Sequence, residues 1–322
     1  MPHHPQITGI GSYAPENVIF NDYFDKYYKK DMDNFLRQRR NIHQRHFMLP
    51  EQRTSDLIVP AAQRAMEMAQ IEANQLDLIL VATDTPDYTS PPTACVVQHK
   101  LKAGHCPAFD VNAACAGFVT ALDMAHKYML GDPNLNTVLL TTAYGISRHL
   151  NWEDYKITSL FGDGAGAVVL QRRESHRPSF LSSKLTCQGQ YHDALGIYEK
   201  EGAPRDLLKF TDRFRAEFNG ENWPPLIKSM LGEVGKQPED VTRYFFTQIN
   251  IESIHQTLDH LGLEHSKAHY IMDRYGYTGG ACIVMGLADA YQQGALKKGD
   301  LVALIASGAG VAMAGMAMEW TL

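Results

Sequence analysis

The chain has 322 residues, a net charge of −6 and 44% hydrophobic residues, enough for one large core or two fused domains of about 150 residues each. This charge excludes the basic surface of a nucleic-acid-binding protein, and no apolar run approaches the roughly 20 residues of a membrane helix. The N-terminus lacks the apolar stretch of a signal peptide, so a cytoplasmic protein is expected. The five cysteines are scattered without a CxxC pair, which favours neither disulfides nor a metal or other bound cofactor.

Along the chain, two halves repeat the same order of elements. The matching segments are 76–86 with 241–251, 108–129 with 271–292, 137–145 with 301–310, and 162–171 with 311–320. Continuous apolar strands that alternate with helices are typical of parallel strands covered on both faces. Small residues in the two central helices favour close packing of those helices. The sequence therefore predicts an α/β fold, a five-layered αβαβα sandwich of two pseudo-twofold-related halves, 1–172 and 173–322.

Two segments fall outside this repeat, and both are interpreted as insertions over the rim of the scaffold. Residues 22–56 are charged and aromatic, and residues 187–226 are polar with Gly, Pro and aromatics. Binding groups often lie on such segments. The basic cluster of Arg37, Arg39, Arg40 and Arg45 is either a solvated helix face or a local anion site.

Cys115 is the candidate nucleophile. It follows a predicted strand and opens a predicted helix within DVNAACAGF. A helix N-terminus carries partial positive charge and free N–H groups, so the thiol pKa is expected to fall below its ordinary value of about 8.5. The neighbouring small residues leave room for a substrate. The alternative is a buried cysteine that packs as a small hydrophobic residue.

Two glycine-rich turns accompany it. FGDGAGAVVL (161–170) lies between strands and does not open a helix, so it indicates a tight turn with close backbone approach and not a dinucleotide site. ASGAGVAMAG (306–315) is similar. Its backbone N–H groups are candidates to stabilise an oxyanion during acyl transfer.

Together, several motifs resemble those of a known family from end to end. They are GIGSYAPENV (9–18), AMEMAQIEANQLDLILVATDTP (65–86), CPAFDVNAACAGF (106–118), FGDGAGAVVL (161–170), DRYGYTGGA (273–281) and GALKKGDLVALIASGAG (294–310). The chain resembles the β-ketoacyl-acyl-carrier-protein synthases III (ketoacyl synthases III) of the thiolase superfamily. The resemblance implies a thiolase-like fold in both halves, a homodimer, and acyl-CoA or acyl carrier protein as substrate. It implies that Cys115 accepts the acyl group, and that the backbone N–H groups of Cys115 and Ala309 form the oxyanion hole.

The sequence departs from this family at two catalytic positions. The histidine of the family's PHQAN motif is Thr247 here, in FTQIN, and the asparagine of its HGNTS motif is Tyr277, in YGYTG. In the family these groups stabilise the enolate that forms when malonyl-carrier protein loses carbon dioxide. Loss of one such hydrogen-bond donor lowers the reaction rate by a factor of about 10²–10³. Ordinary decarboxylative condensation should therefore be slow. Either the chemistry is altered or Thr247 and Tyr277 merely fill space in a defective site.

The second half-reaction is therefore open. Its acceptor is an activated carbon nucleophile, an amine or an alcohol, and an alcohol would need a general base. Four histidines without an assigned position are candidates for that base: His149, His192, His255 and His269. Each is otherwise a surface residue or a satisfied core residue.

The resemblance also implies residues for substrate binding. Phe35 occupies the position of the family's CoA-stacking tryptophan, Arg39 that of a phosphate-contacting arginine, and Tyr155 that of the second stacking arginine. The acyl pocket is expected to be bounded by Phe161 of the same subunit and by Ser90 of a dimer partner. Ser90 is smaller than the family's frequent aromatic residue, which predicts a longer or more polar acyl group.

Three hypotheses follow from these observations. The first is an acyltransferase that loads Cys115 and passes the acyl group to an acceptor in specialised fatty-acid or polyketide-type biosynthesis, by a non-standard second half-reaction. The second is an orthodox decarboxylative synthase that tolerates Thr247 and Tyr277. The third is a half-active, acyl-binding subunit of a hetero-oligomer. Retention of Cys115 within AACAGF disfavours the third.

Overall fold

A computed structural model describes residues 2–203, 205–211, 215 and 217–322. The strands are β1 His3–Tyr13, β2 Val18–Phe20, β3 Gln44–His46, β4 Leu78–Ala82, β5 Ala108–Val111, β6 Thr137–Tyr144, β7 Gly164–Glu174, β8 Phe180–Cys187, β9 Leu195–Tyr198, β10 Leu207–Phe210, β11 Arg243–Phe246, β12 Leu301–Gly308 and β13 Ala312–Glu319. The α-helices are α1 Asn21–Tyr28, α2 Met32–Phe35, α3 Thr54–Ala69, α4 Thr93–Leu101, α5 Gly117–Gly131, α6 Tyr155–Thr158, α7 Phe218–Gly232, α8 Ile251–His260, α9 Met272–Tyr275 and α10 Ala281–Gln292.

Two sheets with the same strand pattern form the scaffold. The first has the order β1-β7-β6-β4-β5 and the second the order β11-β12-β13-β8. In the first sheet β4 pairs in parallel with β5 and β6, and in the second β11 pairs in parallel with β12. The second sheet has no full counterpart of β5 among the described residues, because Ala268 pairs with Tyr244 only as a single parallel bridge. Every residue of β4 (LILVA) is buried, as expected of a strand covered on both faces.

The helices lie in three layers around these sheets. α5 and α10 lie between the two sheets and share one apolar core with both. α3 and α4 cover the outer face of the first sheet, and α7 and α8 cover that of the second. Close approach in the centre requires small residues: a Cβ on Gly166 of β7 would lie 2.0 Å from a methyl group of Val284 in α10. The predicted five-layered arrangement is confirmed.

Two surface segments lie outside these layers. Residues 18–46 include α1, α2 and a ribbon of β2 and β3, and residues 195–210 include the β9–β10 hairpin. Within the described residues, no helix combines the length and the apolarity needed to cross a bilayer.

The prediction for the basic cluster is wrong for Arg45. Its side chain is fully buried and donates hydrogen bonds to Asn21 Oδ1 and to the carbonyl of Ser159, both at 2.7 Å. Arg37 and Arg39 are exposed, and Arg37 pairs with Asp33 one turn away. Through these two bonds Arg45 links the β2–β3 ribbon to α1 and to the segment before Phe161, although its buried Nε has no partner among the described residues.

Candidate active site

A small cavity lies where the carboxyl ends of β4, β6 and β11 meet the turns that precede α5 and α10. Its volume is about 40 Å³, room for about three water molecules. Cys115, Thr247 and Tyr277 all line it, together with Phe161 and Ala309. The fold therefore brings together five of the residues that the sequence singled out.

Cys115 lies in a 3₁₀ turn, Ala114–Ala116, between β5 and α5. Ala114 has a φ of 47°, a left-handed conformation that costs a non-glycine residue roughly 1–2 kcal/mol. Gly308 at the end of β12 packs directly against this turn, since a Cβ there would lie 2.9 Å from the backbone nitrogen of Cys115. The turn that contains Ala309 is thereby held beside the nucleophile, where the predicted oxyanion hole requires it.

Two tyrosine side chains, Tyr277 and Tyr144, line the cavity beside Cys115. Their hydrogen-bonding interactions with the thiol both act to lower its pKa. Gly279, with a φ of 55°, makes room for Tyr144, because a Cβ there would lie 2.8 Å from its ring. The ring of Phe161 packs 5.4 Å from that of Tyr277, and the two residues also form a parallel backbone bridge. Tyr277 is therefore held in the cavity where it interacts with the Cys115 thiol.

The expectation of a lowered thiol pKa is wrong. Burial, followed by the negative charge of Asp84, raises the pKa of Cys115 to about 12 and outweighs the lowering effect of Tyr277 and Tyr144. The helix dipole does not compensate, because α5 begins at Gly117, two residues after the sulfur-bearing residue. Cys115 is consequently a neutral thiol at neutral pH, and its attack on a thioester requires a proton acceptor.

Thr247 continues the path of β11, and its N–H donates to the carbonyl of Ile305 at 3.0 Å. Its Oγ1 accepts a hydrogen bond from the N–H of Ser307 at 3.2 Å, which leaves the hydroxyl proton available to the cavity. Gln248, the next residue, accepts from the N–H of Ile271 at 2.9 Å. Backbone and side-chain hydrogen bonds therefore hold Thr247 and Gln248 in place, while the Thr247 hydroxyl faces the cavity.

The β9–β10 hairpin and the start of α7 close the cavity from above. Leu195, Ile197, Leu208 and Phe210 supply an apolar roof. Asn219 also lines the cavity, and its buried side-chain oxygen has no hydrogen-bond partner among the described residues. Because an unpaired buried acceptor costs about 1–3 kcal/mol, this oxygen is suited to receive an N–H or O–H of a bound substrate.

The sequence of this chain matches a known protein family and several of its members. Residues 109–189 match the family described as 3-Oxoacyl-[acyl-carrier-protein (ACP)] synthase III, and residues 231–320 match its C-terminal region. A β-ketoacyl-[acyl-carrier-protein] synthase III of Xanthomonas campestris pv. campestris is 36% identical over 316 residues, covering 95% of each chain. That of Coxiella burnetii is 33% identical over 317 residues, covering 96% of this chain and 97% of its own. The chain belongs to the 3-oxoacyl-[acyl-carrier-protein] synthase III family.

Solved structures agree with this membership. The chain is similar to 3-oxoacyl-[acyl-carrier-protein] synthase III of Aquifex aeolicus, with a TM-score of 0.90, 30% identity and coverage of 98% of this chain and 100% of that one. It is also similar to the priming β-ketosynthase of the R1128 polyketide pathway, with a TM-score of 0.91, 25% identity and coverage of 99% and 97%. The predicted thiolase-like fold and acyltransferase class are confirmed.

Other predicted positions of this synthase III family member lie outside the cavity. Phe35 and Tyr155 are half-buried at the surface, and Arg39 is exposed, 3.7 Å from Glu252. The ammonium group of Lys30 lies 3.7 Å from the ring centre of Tyr155. Ser90 is exposed and does not line the cavity of its own chain. Their roles in CoA and acyl binding stay predictions.

The four candidate histidines are absent from the cavity lining. His149 bonds to the carbonyl of Asp206, His269 pairs with Asp289 at 2.7 Å, and His255 stacks on His265. His192 is exposed. The structure therefore gives none of them a place beside Cys115.

Sequence reasoning missed three polar residues of this synthase III site: Asp84, Tyr144 and Asn219. Asp84 follows β4 and Tyr144 ends β6, so each is a polar residue at the end of an apolar strand. That position is a usable signal, since the carboxyl ends of parallel strands are a common place for binding groups.

Proposed function

We propose that this protein is a ketoacyl synthase III-like acyltransferase with a non-standard second half-reaction. It loads an acyl group from acyl-CoA or acyl carrier protein onto Cys115 and passes it to an acceptor in specialised fatty-acid or polyketide-type biosynthesis. The observation that carries the proposal is the lining of the Cys115 cavity, which holds Thr247 and Tyr277 at the positions of the family's histidine and asparagine, with Tyr144 beside them.

The first half-reaction uses parts that are present. The sulfur attacks the thioester carbonyl, and the N–H groups of Cys115 and Ala309 receive the oxyanion. Gly308 fixes these two N–H groups relative to each other, because its contact with the nucleophile turn leaves no room for a Cβ. Preorganised backbone donors of this kind are among the largest contributors to acyl-transfer rates.

The second half-reaction lacks the family's enolate-stabilising pair. Thr247 offers one neutral hydroxyl, and Tyr277 interacts with the Cys115 thiol and lowers its pKa. An enolate would therefore form beside one neutral donor and one carboxylate, Asp84. Decarboxylation of malonyl-carrier protein is expected to be slow at such a site.

The binding residues complete the proposal. Phe35 and Tyr155 are half-buried aromatic residues, each with a basic group over its ring, Arg40 and Lys30 respectively. We propose that they and the exposed Arg39 receive the adenine and phosphates of CoA. Asn219 is suited to receive an amide N–H of the pantetheine arm within the cavity. A homodimer would place Ser90 of each subunit near the acyl pocket of the other.

Loading can be measured directly. Wild type and Cys115→Ala are incubated with acetyl-, butyryl- and octanoyl-CoA, and the intact mass of each protein is recorded. The expected result is an acyl adduct on wild type and on the control variant Cys187→Ala, whose thiol is exposed, and none on Cys115→Ala. An unmodified wild type would contradict the proposal.

The names of the relatives favour a second candidate, an orthodox decarboxylative synthase III. The loaded protein is therefore given malonyl-carrier protein, and carbon dioxide release is followed. Release at a rate of about 1 s⁻¹ or above, within the ordinary range of enzymes, would establish the orthodox reaction and exclude the non-standard one.

A further inference from the structure

Asp84 is a carboxylate inside the active-site cavity. It lies two residues beyond Ala82, the last paired residue of β4, whose partner in β6 is Thr142. Tyr144 lies two residues beyond Thr142. Because neighbouring strands run about 4.8 Å apart, Asp84 and Tyr144 emerge side by side at the edge of the sheet that faces Cys115.

The backbone around Asp84 is held on both sides. Thr83 donates its hydroxyl to the carbonyl of Ala143, and Thr85 accepts from the N–H of Gly145, both at 2.9 Å. The N–H of Thr83 also donates to the carbonyl of Val111 in β5 at 3.1 Å. These bonds fix the segment against two neighbouring strands, so the carboxylate has a defined position in the cavity.

Within the part of the chain that the structure describes, no cationic side chain lines the cavity beside this carboxylate. Among the described residues that line the cavity there is no Lys, Arg or His, and Asp84 is the one charged side chain. The titratable groups around it are Cys115 from the nucleophile turn, Tyr144 from β6 and Tyr277 from the turn before α10. The hairpin contributes only Leu, Ile, Gly and Phe to this lining.

The electrostatic consequence is a carboxylate that titrates near neutral pH. Burial raises the pKa of Asp84 to about 6, so it is ionised at pH 7 but still accepts a proton readily. A general base works best when its pKa lies close to the working pH. Asp84 also borders an open groove of about 750 Å³ that adjoins the cavity, so it is reachable from solvent.

We propose that Asp84 is the general base of this site and that the acceptor is a protic nucleophile, an alcohol or an amine. The inference rests on the proposed function, since it requires an acyl group on Cys115. It assigns the proton transfers for which neither Thr247 nor Tyr277 is suited.

Both half-reactions then use the same proton acceptor. In the first, Asp84 takes the proton of the Cys115 thiol while sulfur bonds to the thioester carbon, and the carbon–sulfur bond to CoA breaks. The departing CoA thiolate recovers that proton. In the second, Asp84 takes the proton of the acceptor's O–H or N–H while oxygen or nitrogen bonds to the acyl carbon. The bond to Cys115 breaks, and its sulfur recovers the proton.

The charge of Asp84 also selects between acceptors. A protic nucleophile gains positive charge as it attacks, and a nearby carboxylate stabilises that charge. An enolate from malonyl-carrier protein gains negative charge at the same place, and the same carboxylate opposes it. The lining of the cavity therefore fits an alcohol or amine better than a decarboxylating acid.

The test compares wild type with Asp84→Asn and Asp84→Glu. Rates of loading from butyryl-CoA are followed by intact mass between pH 5 and 8. Each protein is then loaded to completion and freed of CoA, and loss of the acyl group to water and to 1-propanol is followed. Wild-type rates should fall as pH drops through about 6, because protonation removes the base. Asp84→Asn should be slower in both steps by a factor of about 10²–10⁴ and should lose this pH dependence, whereas Asp84→Glu should retain it.

Asp87→Asn is the matched control, since Asp87 lies on the same segment, bonds to Ser55 and does not line the cavity. Thermal unfolding of every variant checks the fold. Wild-type rates and pH profiles in Asp84→Asn would overturn the inference while leaving the proposed function intact. A defect confined to loading would overturn the assignment of a protic acceptor. A wild type that forms no adduct would contradict the proposed function, and this inference with it.

Discussion

The turns before the two central helices occupy equivalent places in the two halves, yet they differ in how they contribute to the site. The turn before α5 presents Cys115 and reaches its shape through a left-handed alanine, Ala114. The turn before α10 presents Tyr277 and takes its left-handed residue as a glycine, Gly279. Only the first turn stores backbone strain, and it is the one that carries the nucleophile.

The comparison separates functions that reside in the backbone from functions that reside in side chains. The oxyanion hole depends on the path of the chain at Cys115 and Ala309, and Gly308 preserves that path whatever side chains surround it. The enolate-stabilising pair depends on two side chains, and both have changed. Under the proposed function, this difference explains how acyl loading is retained while the step that follows it diverges.

Substituting Gly308 is the strongest way to break the backbone side of this comparison. In Gly308→Ala the new Cβ would lie 2.8 Å from the carbonyl oxygen of Ala113 and 2.9 Å from the nitrogen of Cys115. Displacement of one oxyanion donor should slow acyl loading by a factor of about 10²–10³, measured as the rate of adduct formation. Gly310→Ala controls for strain alone, because that glycine has a φ of 69° but no atom within 4 Å of its Cβ position. Equal loading rates in the two variants would contradict this account.

Restoring the family's side chains tests the other turn. The double variant Thr247→His/Tyr277→Asn replaces both donors, and removal of the tyrosine ring provides space for the imidazole. Carbon dioxide release from malonyl-carrier protein should rise by a factor of about 10² or more over wild type. The single variants should gain less, since each restores one donor. An unchanged rate in the double variant would show that these two positions do not limit decarboxylation.

The Asp84 carboxylate is expected to favour catalysis but to lower the stability of the fold at neutral pH. Its pKa rises from the ordinary 3.8 to about 6 on folding, so the folded state binds more protons than the unfolded state between these values. The free energy of unfolding therefore decreases as pH rises through that window. Asp84→Asn should match wild type near pH 4 and exceed it by about 1–3 kcal/mol at pH 8, as measured by urea unfolding. Asp163 is also buried with a raised pKa. Because both proteins contain it, its contribution cancels in the difference between their free energies of unfolding. A variant less stable than wild type at pH 8 would show that the carboxylate is stabilising.

The smallest effect concerns the hydrogen bonds to sulfur. Tyr277→Phe removes a hydroxyl that lowers the pKa of the Cys115 thiol. A hydrogen bond of this kind contributes about 0.5–1.5 kcal/mol, so alkylation of Cys115 by iodoacetamide at pH 8 should slow about two- to tenfold. Tyr144→Phe should act in the same direction. Tyr198→Phe is the control, because that hydroxyl bonds to the carbonyl of His192 outside the cavity. Faster alkylation in either variant would mean that the hydroxyls restrain the sulfur.

Much of the architecture could be predicted from the repeat. Apolar strands and small-residue helices imposed the layers, and the motif spacing brought Cys115, Thr247 and Tyr277 to one cavity. The proximity of Asp84 and Tyr144 could not be predicted. It depends on the register between β4 and β6, which the sequence pattern of the strands does not specify. The direction of the Cys115 pKa shift could not be predicted, because its largest cause is burial, a property of the assembled core.

The contact between Gly308 and the Cys115 turn has a consequence for the newly made chain. Cys115 is synthesised before the second sheet, whereas Gly308, which shapes its turn, belongs to β12 of that sheet. A nascent chain that lacks β12 thus carries the cysteine without the contact that shapes its turn. Under the proposed function, such a chain acquires acyl-transfer competence only when its second half has folded onto the first.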